Sequence, residues 1–143
     1  GARQVDIHMQ GGAMGNLMSA EFDGIKRTLQ DIARNEKKLW AFNGKIGSYA
    51  LDIADVKLGD VVQLNVWNDT SWRHAMHLHG QHFWVSSQEF EGGALDLLRD
   101  TYLMQPGERA EFLFVADNPG DWLFHCHMLE HHAAGMGGVI SIS

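Results

Sequence analysis

Apolar and polar residues alternate along several short stretches of the chain, with the period of two that half-buried strands show. The clearest are Val61–Asn68 (VVQLNVWN), 110–116 (AEFLFVA) and 122–127 (WLFHCH). Turn formers stand between such stretches: Asn43-Gly44, Leu58-Gly59-Asp60, Asp69-Thr70-Ser71, Gln105-Pro106-Gly107 and Asn118-Pro119-Gly120. Short strands at this regular spacing predict an all-β fold, a Greek-key β-sandwich. One segment departs from the period. Residues 28–38 place Leu29, Ile32 and Ala33 on one helical face, and Thr28 with Asp31 resembles a capping box, so a short helix is expected near the amino terminus. Ahead of it, 8–18 (HMQGGAMGNLM) is rich in Met and Gly and reads as a loop.

The 143 residues, 45% of them hydrophobic, are enough for one core and few for two. A single domain is therefore expected over 1–143, with a Met/Gly-rich strand and loop in 1–20, the helix in 28–38 and the sandwich core in 39–143. A formal charge of -7 with scattered Lys and Arg argues against nucleic acid as a partner. Neither a membrane-length apolar run nor the pattern of a signal peptide is visible, so a soluble chain is expected, with no membrane partner.

Cysteine and histidine change the picture. Cys126 is the only cysteine, so an intrachain disulfide is excluded, and it lies between two histidines. All histidines except His8 fall in two runs, 74–82 (HAMHLHGQH) and 125–132 (HCHMLEHH). Strand side chains alternate faces, so His125 and His127 project together while Cys126 points the other way. The same parity in the first run pairs His77 with His79 and sends His74 to the opposite face, with Cys126.

Downstream, four residues separate Cys126 from His131 and four more separate His131 from Met136, with Gly135 and Gly137 allowing a tight return. His74, Cys126, His131 and Met136 together supply one thiolate, two imidazoles and a thioether, the donors of a blue-copper electron-transfer site. Zinc accepts Cys and His but has no use for the thioether. His77, His79, His125 and His127 form a second set of four imidazoles, whose ligand type alone does not choose a metal. Because His125 and His127 are covalent neighbours of Cys126, a redox metal is the economical choice.

HAMHLHG followed by HCHMLEHHAAGM resembles the two carboxy-terminal copper signatures of multicopper oxidases, the family of laccases, ascorbate oxidase, ceruloplasmin and bacterial cuprous oxidases. LWAFNGK, VKLGDVVQLNVWN, MQPGERAEF and NPGDWLFHCH are similar to further stretches of that family's last domain, so the resemblance covers most of 38–143. It implies a cupredoxin-like fold with type 1 copper at His74, Cys126, His131 and Met136. It further implies type 2 copper at His77 and type 3 copper at His79, His125 and His127. The family's trinuclear cluster takes four more histidines from an amino-terminal cupredoxin domain, so that domain, or another subunit, is the implied partner.

The implied activity is copper-dependent oxidation of a small reducing substrate, with electrons passing via Cys126 and its flanking histidines to dioxygen, which is reduced to water. The alternatives are a stand-alone blue-copper electron carrier, a nitrite-reductase-like enzyme and a non-redox copper- or zinc-binding domain. A periplasmic or secreted location follows from the resemblance alone. Where many members read HLHGH, Gln81 intervenes, and His82 is read as a surface residue. Glu130 and His132 are the candidates for a proton relay. Met9, Met14 and Met18 are expected to form a thioether loop near the type 1 site that helps bind cuprous ion, as in bacterial cuprous oxidases, or else Met18 and Met14 pack beneath the helix.

Overall fold

The computed structural model describes residues 1–12, 17–22, 24–36, 40–46, 52–87, 98–127 and 136–143. Two sheets face each other. The larger contains β1 (Arg3–Gly11), β2 (Ser19–Phe22), β3 (Ile25–Thr28), β4 (Trp40–Phe42), β5 (Lys45–Ile46), β7 (Val61–Asn68), β9 (Trp84–Ser87) and β11 (Arg109–Val115), in the order β3-β2-β5-β4-β1-β7-β11-β9. The smaller contains β6 (Asp52–Val56), β8 (His74–Leu78), β10 (Thr101–Met104), β12 (Gly120–Cys126) and β13 (Gly137–Ile142), in the order β10-β8-β12-β13-β6. From β6 to β12 the chain changes sheet at every step, the crossing pattern of a Greek-key sandwich.

The alternation seen in the sequence builds the space between the sheets. Val62, Leu64 and Val66 on β7 and Phe112 and Phe114 on β11 are buried against Met76, Leu78, Phe124, Ile140 and Ile142 of the smaller sheet. Each such aliphatic side chain contributes roughly 1.5–3 kcal/mol by leaving water. Phe112 is the hub: it stacks on Phe83 at 4.7 Å and meets Phe124 and Tyr102 edge-on at 6.0 and 5.8 Å. Truncating it to Ala would destabilise the fold by about 3–5 kcal/mol.

The helix α1 (Leu29–Glu36) forms where the capping pattern placed it, with Asp31 N–H donating to Thr28 Oγ1 at 3.2 Å. Eight residues are too few for a stable isolated helix, and its anchor is Ile32, buried against Ala20 and Ala41 in a small second cluster. Between β4 and β5, Asn43 and Gly44 both adopt positive φ, 52° and 80°, the turn geometry whose twist matches an antiparallel hairpin.

One expectation is corrected. His8, Met9, Gln10 and Gly11 belong to β1, not to a loop. Residues Arg3 to Met9 pair in parallel with Val62 to Asn68, and Met9 is fully buried in the main core. Pairing with a strand more than 50 residues away overrides the flexible composition. Met9 is therefore a strand residue of the core and not part of the expected thioether loop. Met18 is 82% exposed rather than packed beneath α1, and Met14 lies outside the described residues.

Candidate metal centre

The central strands of the smaller sheet position the chemistry. β8 lies between β10 and β12, and two successive rungs cross all three strands. On one, Thr101, His77 and His125 stand side by side; on the next, Tyr102, Met76 and Cys126 do. Strand pleating sends the first rung outward and the second into the core.

On the inner side, His74, Cys126 and Met136 are all fully buried. His74 Nδ1 lies 3.7 Å from Cys126 Sγ, and Cys126 N–H donates to Met136 O at 3.1 Å, which ties the strand bearing the thiol to the segment bearing the thioether. Trp40 meets His74 edge-on at 4.7 Å and walls the site on the side of β4. The far nitrogen of His74, Nε2, is 2.9 Å from Thr70 Oγ1. His131, the fourth donor read from the sequence, lies outside the described residues, as do Glu130 and His132.

On the outer side, four imidazoles converge. Ring centroids are 4.6 Å apart for His77 and His79, 5.1 Å for His77 and His127, 5.1 Å for His79 and His125, and 5.6 Å for His77 and His125. His79 Nε2 and His125 Nε2 approach to 2.9 Å. The other nitrogens are anchored: His77 Nδ1–H donates to Asp100 O at 2.9 Å, and His125 Nδ1–H donates to Cys126 O at 2.7 Å. With Nδ1 of both rings committed as donors to carbonyl oxygens, Nε2 carries the lone pair. His125 is buried, His77 is half-buried, and His79 and His127 are exposed.

His82 is exposed, while Gln81 beside it is buried and donates from Nε2 to Asn118 O at 3.2 Å. Two further polar groups near the site, Glu108 and Asn68, are buried although nothing in the sequence marks them so. Glu108 accepts hydrogen bonds from Ser87 Oγ at 2.7 Å, Tyr102 Oη at 2.6 Å and Gln105 N–H at 2.9 Å, so its carboxylate is buried but satisfied. Asn68 is buried and accepts the hydroxyl hydrogen of Thr70 at 2.6 Å. Each stood in the sequence as one polar residue at the edge of a turn, with no signal of burial.

The inward thiol, imidazole and thioether and the outward cluster of imidazoles match what comparison with known proteins finds. Residues 21–143 match the profile of the multicopper oxidase family, and the chain belongs to that family, whose cofactor is copper. It is 40% identical over 101 residues to a copper resistance protein A homolog of Pseudomonas syringae pv. tomato, which covers 71% of this chain and 16% of that protein. It is 39% identical over 101 residues to an L-ascorbate oxidase of Cucurbita pepo var. melopepo, covering 59% of this chain and 18% of that protein. Among solved structures, a multicopper oxidase of Campylobacter jejuni, described as a metallo-oxidase, superposes with a TM-score of 0.77 at 25% identity, over 98% of this chain and 30% of that one. The chain thus spans about a sixth of the length of the curated relatives it matches. Among the described residues no helix is long and apolar enough to cross a membrane.

Proposed function

We propose that the chain houses the electron-entry site of a multicopper oxidase and half of its oxygen-reducing site. Type 1 copper is held by His74, Cys126, His131 and Met136, type 2 copper by His77, and type 3 copper by His79, His125 and His127. The observation that carries this reading is the pair of adjacent rungs on β8 and β12, which turns a thiol into the core and imidazoles to the surface. The donors fit the metal: a buried sulfur and imidazole nitrogen 3.7 Å apart, with a buried Met beside them, offer the soft thiolate and thioether that copper accepts.

Copper, when bound, supplies one-electron chemistry, taking electrons from a reducing substrate and delivering them to dioxygen, which becomes water. The residues of the chain do the rest. Cys126 joins the two faces through its peptide bonds to His125 and His127, and its carbonyl oxygen accepts the Nδ1–H of His125, giving a second short link. Asp100 O and Thr101 Oγ1 accept from His77 Nδ1–H, at 2.9 and 3.0 Å, and so hold the ring with the lone pair on Nε2. Exposed His79 and His127 leave room for a facing surface. The partner is an amino-terminal cupredoxin domain of the same protein or another subunit, supplying the remaining imidazoles. A stand-alone electron carrier would have no use for the outward four. A periplasmic or secreted location belongs to the same reading.

Mixing the anaerobically reduced, copper-loaded chain with dioxygen tests it. Slow reoxidation without sustained oxygen consumption is expected, because four imidazoles cannot fill the coordination of three coppers. Sustained turnover to water by the monomer would overturn the shared-cluster reading.

A further inference from the structure

We propose that Thr70, held by Asn68, is a positioning residue that fixes the tautomer of His74, so that Nδ1 carries the lone pair on the side of Cys126. The proposal rests on the reading of His74 as a copper ligand. It follows from a count of hydrogens in a buried network.

The backbone of Asn68 is clamped by the turn before β11: Asn68 N–H donates to Glu108 O at 2.9 Å, and Gly107 N–H donates to Asn68 O at 2.8 Å. Its side-chain Nδ2 donates to Trp72 O at 2.8 Å and to Gln105 O at 2.9 Å. Both amide hydrogens are thereby committed to carbonyl oxygens. Rotating the amide by half a turn would set its oxygen against those two oxygens, so the orientation is fixed, and Oδ1 faces Thr70 as an acceptor.

Thr70 Oγ1 lies 2.6 Å from Asn68 Oδ1, and only the hydroxyl hydrogen can join the two oxygens. The other candidate acceptor, Trp72 O, is farther, at 3.2 Å. With its one hydrogen spent on Asn68, Thr70 can only accept elsewhere. It accepts from Trp72 N–H at 3.2 Å and from His74 Nε2 at 2.9 Å. His74 must then carry its hydrogen on Nε2, which leaves the lone pair on Nδ1, the nitrogen 3.7 Å from Cys126 Sγ. The opposite tautomer would place a hydrogen where the metal has to sit. Asn68, Thr70 and His74 are all buried, so water does not compete for these positions.

Nitrogen-15 NMR of the copper-free chain, with its histidines labelled, tests the direction of the bond. The expected result is His74 protonated at Nε2 in the wild type and in Thr70→Ser. In Thr70→Val, which keeps the shape and removes the oxygen, the tautomers are expected to mix and Cu(II) affinity to fall by about 10- to 100-fold. His74 protonated at Nδ1 in the wild type would overturn the proposal, whether or not the valine variant folds. So would a folded valine variant with wild-type tautomer and affinity. If the relay behaves as expected but Cu(II) binds at His74 without an intense blue band, the relay stands and the type 1 assignment fails.

Discussion

His77 and His125 are register partners on β8 and β12, with ring centroids 5.6 Å apart on the outer face, while the next pair along, Met76 and Cys126, points into the core. One residue of register therefore separates an imidazole cluster from a thiol. A slip of one position in either strand would exchange the two faces, so the hydrophobic burial that sets the register also sets the chemistry. Leu78 and Phe124, partners on the rung at the other side of His77 and His125, are both buried and hold that register.

Met136→Leu is expected to leave the chain folded, because a buried Met-to-Leu exchange costs less than about 1.5 kcal/mol. It removes the thioether that the proposed site uses as a weak donor to the oxidised metal. The blue band is expected to persist and the reduction potential to rise. Redox titration of that band is the check, and an unchanged potential would remove Met136 from the ligand set.

Gly80 follows His79 with φ of 74°, and a Cβ built on it would lie 2.4 Å from Trp122 Cδ2. Gly59 has φ of 92° and nothing within 4 Å of the same position. Gly59→Ala should therefore lose only the left-handed backbone term, about 1–2 kcal/mol. Gly80→Ala should add the clash, roughly 1–3 kcal/mol more. Urea denaturation of both variants tests the ordering, and equal losses would mean that Trp122 moves aside freely.

Tyr102 is pushed up to about 12 from an ordinary value of 10.0, first by burial, then by its hydrogen bond to Glu108 and the charge of that carboxylate. The folded value lies above the unfolded one. The stability it contributes is thus complete below pH 10 and is lost as the pH rises from about 10 through about 12. With the chain's other tyrosine, Tyr49, replaced by Phe, the phenolate absorbance should titrate near 12, and Glu108→Gln should lower the midpoint without bringing it to 10, since burial is the larger cause. A midpoint of 10 in the parent would contradict the buried Tyr102–Glu108 pair.

Much of the sandwich was legible along the chain. β7 has the bounds that its alternation marks, and the parity of HAMHLHG and WLFHCH is the parity of β8 and β12. These strands read clearly because one face of each is buried and the period survives in the sequence. β1 did not read that way: its carboxy-terminal half carries Met and Gly, and its partner β7 lies far along the chain, so local composition pointed to a loop. The parallel pairing of β6 with β13 was equally invisible, since alternation says nothing about which strands meet. Within the site, Thr70 read as a turn former between Asp69 and Ser71. Its contact with His74 exists only once the turn folds back over the start of β8.

The most direct measurement is the absorption and electron-paramagnetic spectrum of the copper-loaded chain beside Cys126→Ser. The wild type should show the intense blue band of thiolate-to-copper charge transfer. In the variant that band should vanish while Cu(II) bound by His77, His79, His125 and His127 remains detectable, because those rings lie on the opposite face of the strand. A type 1 signal that persists without the thiol, or a wild type that binds Cu(II) without the band, would contradict the assignment of Cys126.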